Sequence, residues 1–165
     1  MILKYLSKKF YLNLLIIISI FLVDRISKIY VINFNKEFVD INLFSSAFLN
    51  ITLVWNSGIA FGLLSIKENY FYNFITILII LIILILLFLV SKEKKFRKYS
   101  YLIIIGGGLG NLFDRIFYKA VPDFIDIHFN GFHWFIFNIA DIFITLGIIC
   151  LIYDEVFLEK KVDEQ

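Results

Sequence analysis

A chain of 165 residues that is 61% hydrophobic and only 18% charged, with a mean hydropathy of +0.87, is not built as a water-soluble domain, which is about half apolar. The formal net charge of +2 matters less than where the charges sit, and nothing in it calls for a nucleic-acid partner. Cys150 is the only cysteine and lies in an apolar run, which excludes a disulfide or a thiolate metal site and reads as a small buried hydrophobe.

Four apolar segments approach or reach the roughly 20 residues needed to cross a bilayer: about 10–32, 70–90, 99–118 and 134–153. The first follows a lysine cluster but no small-residue cleavage site, and "DRISKIYVI" resumes the helical pattern, so an uncleaved span is expected. Residues 33–69 form a long loop in which "INLFSSAFLNITLVWN" is apolar, partly alternating and rich in β-formers. A small sheet on the membrane surface is predicted there. The predicted fold is a mostly α membrane protein, with four transmembrane helices and a small extracytoplasmic β-cradle in a single domain over 1–165.

Basic residues set the direction. Lys4, Lys8 and Lys9 precede span one, Lys92, Lys94, Lys95, Arg97 and Lys98 lie between spans two and three, and Lys160 and Lys161 follow span four. With four crossings these fall on one side, which makes both termini cytoplasmic and leaves the loops at 33–69 and 119–133 outside.

The polar residues within the spans then share one level near the outer face. Asp24 and Lys28 are spaced i, i+4 with the acid first, the favourable order for a helical ion pair. Asn111 and Arg115 share a face of span three, as Asn138 and Asp141 do on span four. A start near Trp134 puts Asp141 about 10 Å deep at roughly 1.5 Å per residue. Intramembrane ionisable groups point to function, and three pairs at one depth point to a shared site. Gly106 and Gly110 form a G-x-x-x-G that allows close approach. The triplet Gly106–Gly108 leaves room where a bound peptide could lie.

The outer loop "KAVPDFIDIHFNGFHWF" supplies more acids and both histidines. Pro122, the only proline, is expected to stop the third helix and hold Val121 extended. A metal site from Asp123, Asp126, His128 and His133 is one chemistry, but the spacing matches no trusted zinc motif, so no metal or cofactor is expected. The other is a carboxylate pair, Asp123 with Asp141. Two acids a few Å apart share one proton, so one can activate water while the other protonates a scissile carbonyl. Spacing alone also allows Asp126 in place of Asp123, while Asp114, next to Arg115, faces elsewhere on the helix. A proton-coupled transporter using Asp24, Lys28, Arg115 and Asp141 as a relay is the alternative function; the bare inner halves of the spans count against it.

Five ordered motifs, "DRISK" (24–28), "WNSGIAFG" (55–62), "GGGLGNLFDR" (106–115), "VPDFID" (121–126) and "FNIAD" (137–141), resemble those of the bacterial lipoprotein signal peptidase (signal peptidase II) family of intramembrane aspartic proteases. The resemblance covers nearly the whole chain. It implies that Asp123 and Asp141 are the catalytic pair, with Asp24, Lys28, Asn56, Gly58, Asn111, Arg115, Asn138 and Ala140 binding substrate or supporting the site. It further implies a prolipoprotein substrate with a diacylglyceryl-modified cysteine, cleavage before that cysteine, no metal or cofactor, and a monomer among the lipids of the bacterial inner membrane. Pro122 stands where the family more often has an aliphatic residue, and it removes a backbone donor beside Asp123.

Overall fold

The computed structural model describes residues 8–38, 42–58, 69–93 and 96–159. Lys4, Lys94, Lys95, Lys160, Lys161 and residues 59–62 of the "WNSGIAFG" motif lie outside the described residues. Among the described residues, four α-helices and four strands follow in the order α1 (Lys8–Glu37), β1 (Phe44–Ser45), β2 (Leu49–Asn56), α2 (Asn69–Lys92), α3 (Phe96–Tyr118), β3 (Val121–Phe129), β4 (Phe132–Phe137) and α4 (Ile139–Tyr153), with a π-helical turn (Asp154–Glu159) after α4. Helix α3 is central and packs against α1, α2 and α4.

Helix α1 reverses the pattern of a water-soluble helix. Its buried residues are Ile20, Asp24, Arg25, Lys28 and Val31, spaced to share a face. Leu15, Leu22, Ile26 and Ile29 point outward and are exposed. The burial of charge and exposure of leucine and isoleucine suit a lipid surrounding. Helix α2 is the extreme case: within Tyr72–Lys92 its most apolar 18-residue window has a mean hydropathy of 3.5 and is 6% buried. It is the one helix among the described residues singled out by length and composition as able to cross a bilayer.

Glycines set how closely α3 meets its neighbours. A Cβ on Gly106 would lie 2.8 Å from Ile20 on α1, and one on Gly107 would lie 2.6 Å from the carbonyl oxygen of Ala140 on α4. A Cβ on Gly108 would sit 3.5 Å from Ile83 on α2, an ordinary contact. Two of the three glycines thus serve helix packing, and Gly108 alone of the triplet lines a cavity. That narrows the expectation that the whole triplet makes room for a peptide.

The strands form one antiparallel sheet in the order β1-β2-β3-β4. Half of it arises in 33–69, as expected. The other half, β3 and β4, comes from residues read above as a plain loop and as the start of span four. Trp134–Phe137 is strand, not helix, because Asn138 caps α4 and Ile139 is its first residue. The β3–β4 hairpin turns at Asn130 and Gly131, both at positive φ (49° and 78°), the geometry that favours Asn-Gly in two-residue hairpins. Helix α3 ends before Pro122 acts: Lys119 adopts φ 58°, the left-handed conformation common just past a helix C-terminus. Val121 is extended as expected, and Pro122 is buried in β3, opposite Trp55.

Candidate active site

The sheet joins the C-terminal ends of α1 and α3 to the N-terminal end of α4, and most of the polar side chains meet there. Asn138 begins α4 with a reciprocal capping box. Its side-chain oxygen accepts from the Asp141 amide at 3.2 Å, and Asp141 Oδ2 accepts from the Asn138 amide at 3.1 Å. Asp141 is therefore an N3 residue in the first turn, shallower than a helix starting at Trp134 would make it. A carboxylate there answers unpaired amides and the positive end of the helix dipole. Asp24 reaches across from α1 and accepts from the Ala140 amide at 3.0 Å, satisfying another amide of the same first turn.

Asn138 also links the two acids. Its Nδ2 donates to Asp123 Oδ1 at 2.6 Å and to Asn111 Oδ1 at 3.2 Å. Asn56 donates to Asp123 Oδ2 at 2.9 Å, and Asn111 donates to Asp141 Oδ1 at 2.8 Å. Each carboxylate thus has an amide on each oxygen. Burial pushes Asp123 up to about 6, its charge favoured by hydrogen bonds from Asn56 and Asn138 and opposed by the nearby charge of Asp141. Asp123 keeps a proton into the range where carboxylates are normally ionised, as a proton-sharing pair requires.

Beneath the pair lies an ionic cluster. Lys28 Nζ contacts Asp24 Oδ1 at 2.9 Å, Asp114 Oδ2 at 2.7 Å and Asn111 Oδ1 at 2.9 Å. Arg25 forks onto both oxygens of Asp114, at 2.6 and 2.9 Å, and reaches Asp24 Oδ2 at 3.0 Å. Asp24, Lys28 and Asp114 are fully buried. Asp24 and Lys28 pair as expected, but Arg25 and Asp114 were missed as partners. Each stands beside a residue named above, Arg25 after Asp24 and Asp114 before Arg115, but neighbours along the chain carry no sign of a contact between helices. Asp114 does face away from Arg115, which donates instead to the carbonyl oxygen of Gly58 and stacks over the Tyr72 ring with 5.0 Å to its centroid. The Gly58 amide in turn donates to Asn56 Oδ1 at 2.9 Å. Arg115 Nη1 is buried with no hydrogen-bond partner among the described residues.

Asp126 is not drawn to this group. It holds His133 and Asn50, so among the described residues Asp123 is the loop acid beside Asp141. Asp123, Asp141, Asn56, Asn111, Arg115 and Asn138 line a cavity of about 440 Å³ whose far wall is Ile75, Leu78, Ile79, Ile144 and Ile148. An apolar cavity of about 440 Å³, walled by Trp134, Phe135, Phe137, Ile142 and Leu146, shares Asp141 and Thr145 with it.

An apolar helical exterior around an acid-and-amide pocket describes a membrane-embedded enzyme. Residues 16–157 match the family described as Signal peptidase (SPase) II. The chain is 51% identical to the lipoprotein signal peptidase of Pelagibacter ubique (strain HTCC1062), over 93% of both chains. It is 38% identical to that of Rickettsia africae (strain ESF-5), over 97% of this chain and 82% of the relative. A solved structure titled "Bacterial membrane enzyme structure by the in meso method at 2.3 A resolution" superposes with a TM-score of 0.75 at 31% identity, covering 93% of this chain and 91% of that one. A second, titled likewise at 1.9 A resolution, gives 0.70 at 30% identity over 88% and 92%. The chain belongs to the signal peptidase II family. It is an integral membrane protein and an aspartic endopeptidase of that type, and the transporter alternative finds no support.

Proposed function

We propose that Asp123 and Asp141 are the catalytic pair of this peptidase and that its substrates are prolipoproteins carrying a diacylglyceryl cysteine. One observation carries the assignment: a single side chain, Asn138, binds Asp123 and caps the helix turn that holds Asp141, in the wall of a shared cavity. One carboxylate takes a proton from water as its oxygen attacks the scissile carbonyl carbon, and the other carboxyl gives its proton to the carbonyl oxygen. Collapse of the tetrahedral species breaks the C–N bond, and the leaving amine takes a proton from the pair. The pair titrates as a unit, so neither acid has a fixed role.

The surroundings fit supporting roles. Arg115 Nη1, lacking a partner among the described residues, can donate to a substrate carbonyl. Asn56 and Asn111 orient the acids. Asp24, Lys28 and Ala140 fix the start of α4, and Gly58 receives Arg115. The apolar cavity next to Asp141 suits acyl chains on the cysteine after the cut. In this reading the chain is one monomeric domain with four membrane crossings and both termini cytoplasmic, its sheet and pocket near the outer face. No cofactor enters the reaction.

The test is cleavage of a diacylated precursor by purified Asp123→Asn and Asp141→Asn. Each amide keeps the carboxylate's shape and one oxygen, enough for one of its two present donors, so insertion and folding should persist while cleavage disappears. Substantial turnover by either variant sinks the pair. Equal cleavage of a lipidated precursor and its unlipidated twin by the unmodified enzyme would instead sink the substrate assignment.

A further inference from the structure

The two histidines lie away from the carboxylate pair, on a different part of the sheet. His128 and His133 face each other across the β3–β4 ladder. Their rings stack at 4.9 Å with 21° between planes. Asp126 lies two residues before His128 on the same strand, and the ladder shifts register between them. Its two oxygens lie 3.0 and 2.9 Å from His133 Nδ1.

His128 carries the argument. Its Nε2 is 3.2 Å from the carbonyl oxygen of Ser46, which can only accept, so Nε2 bears the hydrogen. In a neutral ring that leaves a lone pair on Nδ1. This atom is buried and has no hydrogen-bond partner among the described residues. Asp126 Oδ2, at 3.8 Å, is beyond hydrogen-bond range and offers only more lone pairs. A backbone carbonyl on one imidazole nitrogen with the other left open is how metal-ligating histidines are commonly set. Asn50 adds a second outer support. It donates to Asp126 Oδ2 at 3.2 Å and is itself held by Ser45 at 2.7 Å.

We propose that Asp126, His128 and His133 form a divalent transition-metal site on the sheet, suited to Zn²⁺. One atom from each residue is already within 4.8 Å of the others. Zinc bond lengths near 2.0–2.2 Å require donors about 3.4 Å apart in a tetrahedron, within reach of small side-chain rotations. Two imidazoles and a carboxylate are a set that zinc accepts. The exposed side of His133 leaves the fourth position to water. The ion ties β3 to β4 and takes no part in peptide cleavage, since Asp123 and Asp141 have other partners.

The experiment uses the full chain in detergent, free of any histidine tag and stripped with EDTA. Zn²⁺ is added by calorimetric titration, and Co²⁺ is used as a visible-absorption probe. One equivalent should bind saturably, raise the unfolding temperature, and give Co²⁺ bands of low coordination number. His133→Gln, at an exposed position, should abolish binding while the apo protein keeps its unfolding temperature. Asn50→Ala should weaken binding about 10–100-fold, as loss of an outer-shell partner does. Absence of saturable binding, or binding undiminished in both His133→Gln and His128→Ala, overturns the site. So does loss of binding in Asp123→Asn or Asp141→Asn, which would put the metal at the carboxylate pair.

Discussion

Asp24 accepts a hydrogen bond at 3.0 Å from the backbone amide of Ala140, 116 residues further along the chain. The same carboxylate balances Lys28 and Arg25. Asp24→Ala should therefore open the start of α4 and leave two buried cations sharing Asp114. Losing one member of a buried ionic group costs roughly 3–5 kcal/mol. A fall in unfolding temperature in detergent is expected, with loss of cleavage, and Asp24→Asn should fall less because it keeps the acceptor. Equal unfolding temperatures for Asp24→Ala and the unmodified enzyme would contradict this role.

The glycines of α3 should separate by position. A Cβ at Gly110 would clash with the Asp24 carboxylate, inside the buried ionic cluster. Gly110→Ala is expected to cost about 1–3 kcal/mol, the usual range for overpacking, and to lower cleavage with it. Gly108→Ala meets only Ile83 at 3.5 Å, so its unfolding temperature should hold. Its methyl enters the cavity, and a raised KM is the expected result. Thermal unfolding beside steady-state kinetics distinguishes the two.

Protonation of Asp123 gives the pH profile a direction. Its carboxyl is raised to about 6, chiefly by burial, and the hydrogen bond from Asn56 opposes the rise. A raised carboxyl holds its proton below that value and loses it as pH climbs through it. The alkaline limb of kcat/KM should accordingly reflect loss of the shared proton. Asn56→Ala removes a donor that favours the charged form, so the limb should move to higher pH. A shift to lower pH, or no shift, would contradict the role of Asn56.

Arg115 should not tolerate lysine. Its guanidinium holds the Gly58 carbonyl and lies over Tyr72 at once, which a single ammonium cannot copy. A hydrogen bond from a charged group is worth about 1.5–3 kcal/mol, so Arg115→Lys should lose roughly ten- to a hundredfold in kcat/KM. Steady-state kinetics on a diacylated precursor measures it.

EDTA should leave cleavage intact, since the proposed zinc lies on the sheet and the reaction runs through carboxylates. Loss of activity that added metal restores would reopen the metal chemistry weighed and set aside from spacing alone.

Much of this was legible in the sequence because lipid imposes a simple code. Unbroken apolar runs marked α2 and α3, and the acids and amides inside such runs marked Asp24, Asn111, Asn138 and Asp141, since polar groups there need a reason. The same code misled at Trp134–Phe137. A short apolar strand and the first turns of an apolar helix look alike, and only the capping by Asn138 separates them. Asn130-Gly131 was the available hairpin signal. Arg25 and Asp114 escaped for another reason. Their pairing spans 89 residues, and sequence spacing says nothing about contacts between helices. Asp126, His128 and His133 were grouped with Asp123 from the sequence as candidate metal ligands; the structure keeps those three together and turns Asp123 toward Asn56 and Asn138 instead.

Asp141 is both an acid at the proposed centre and the N3 member of a helix cap. Asparagine at that position keeps an oxygen for the Asn138 amide but gives up the acid; an apolar replacement gives up both. An inhibitor that occupies the pair would therefore press on a residue with no inexpensive substitute. Resistance would have to arise elsewhere, in the apolar wall around Leu146 and Ile142 or in the level of expression.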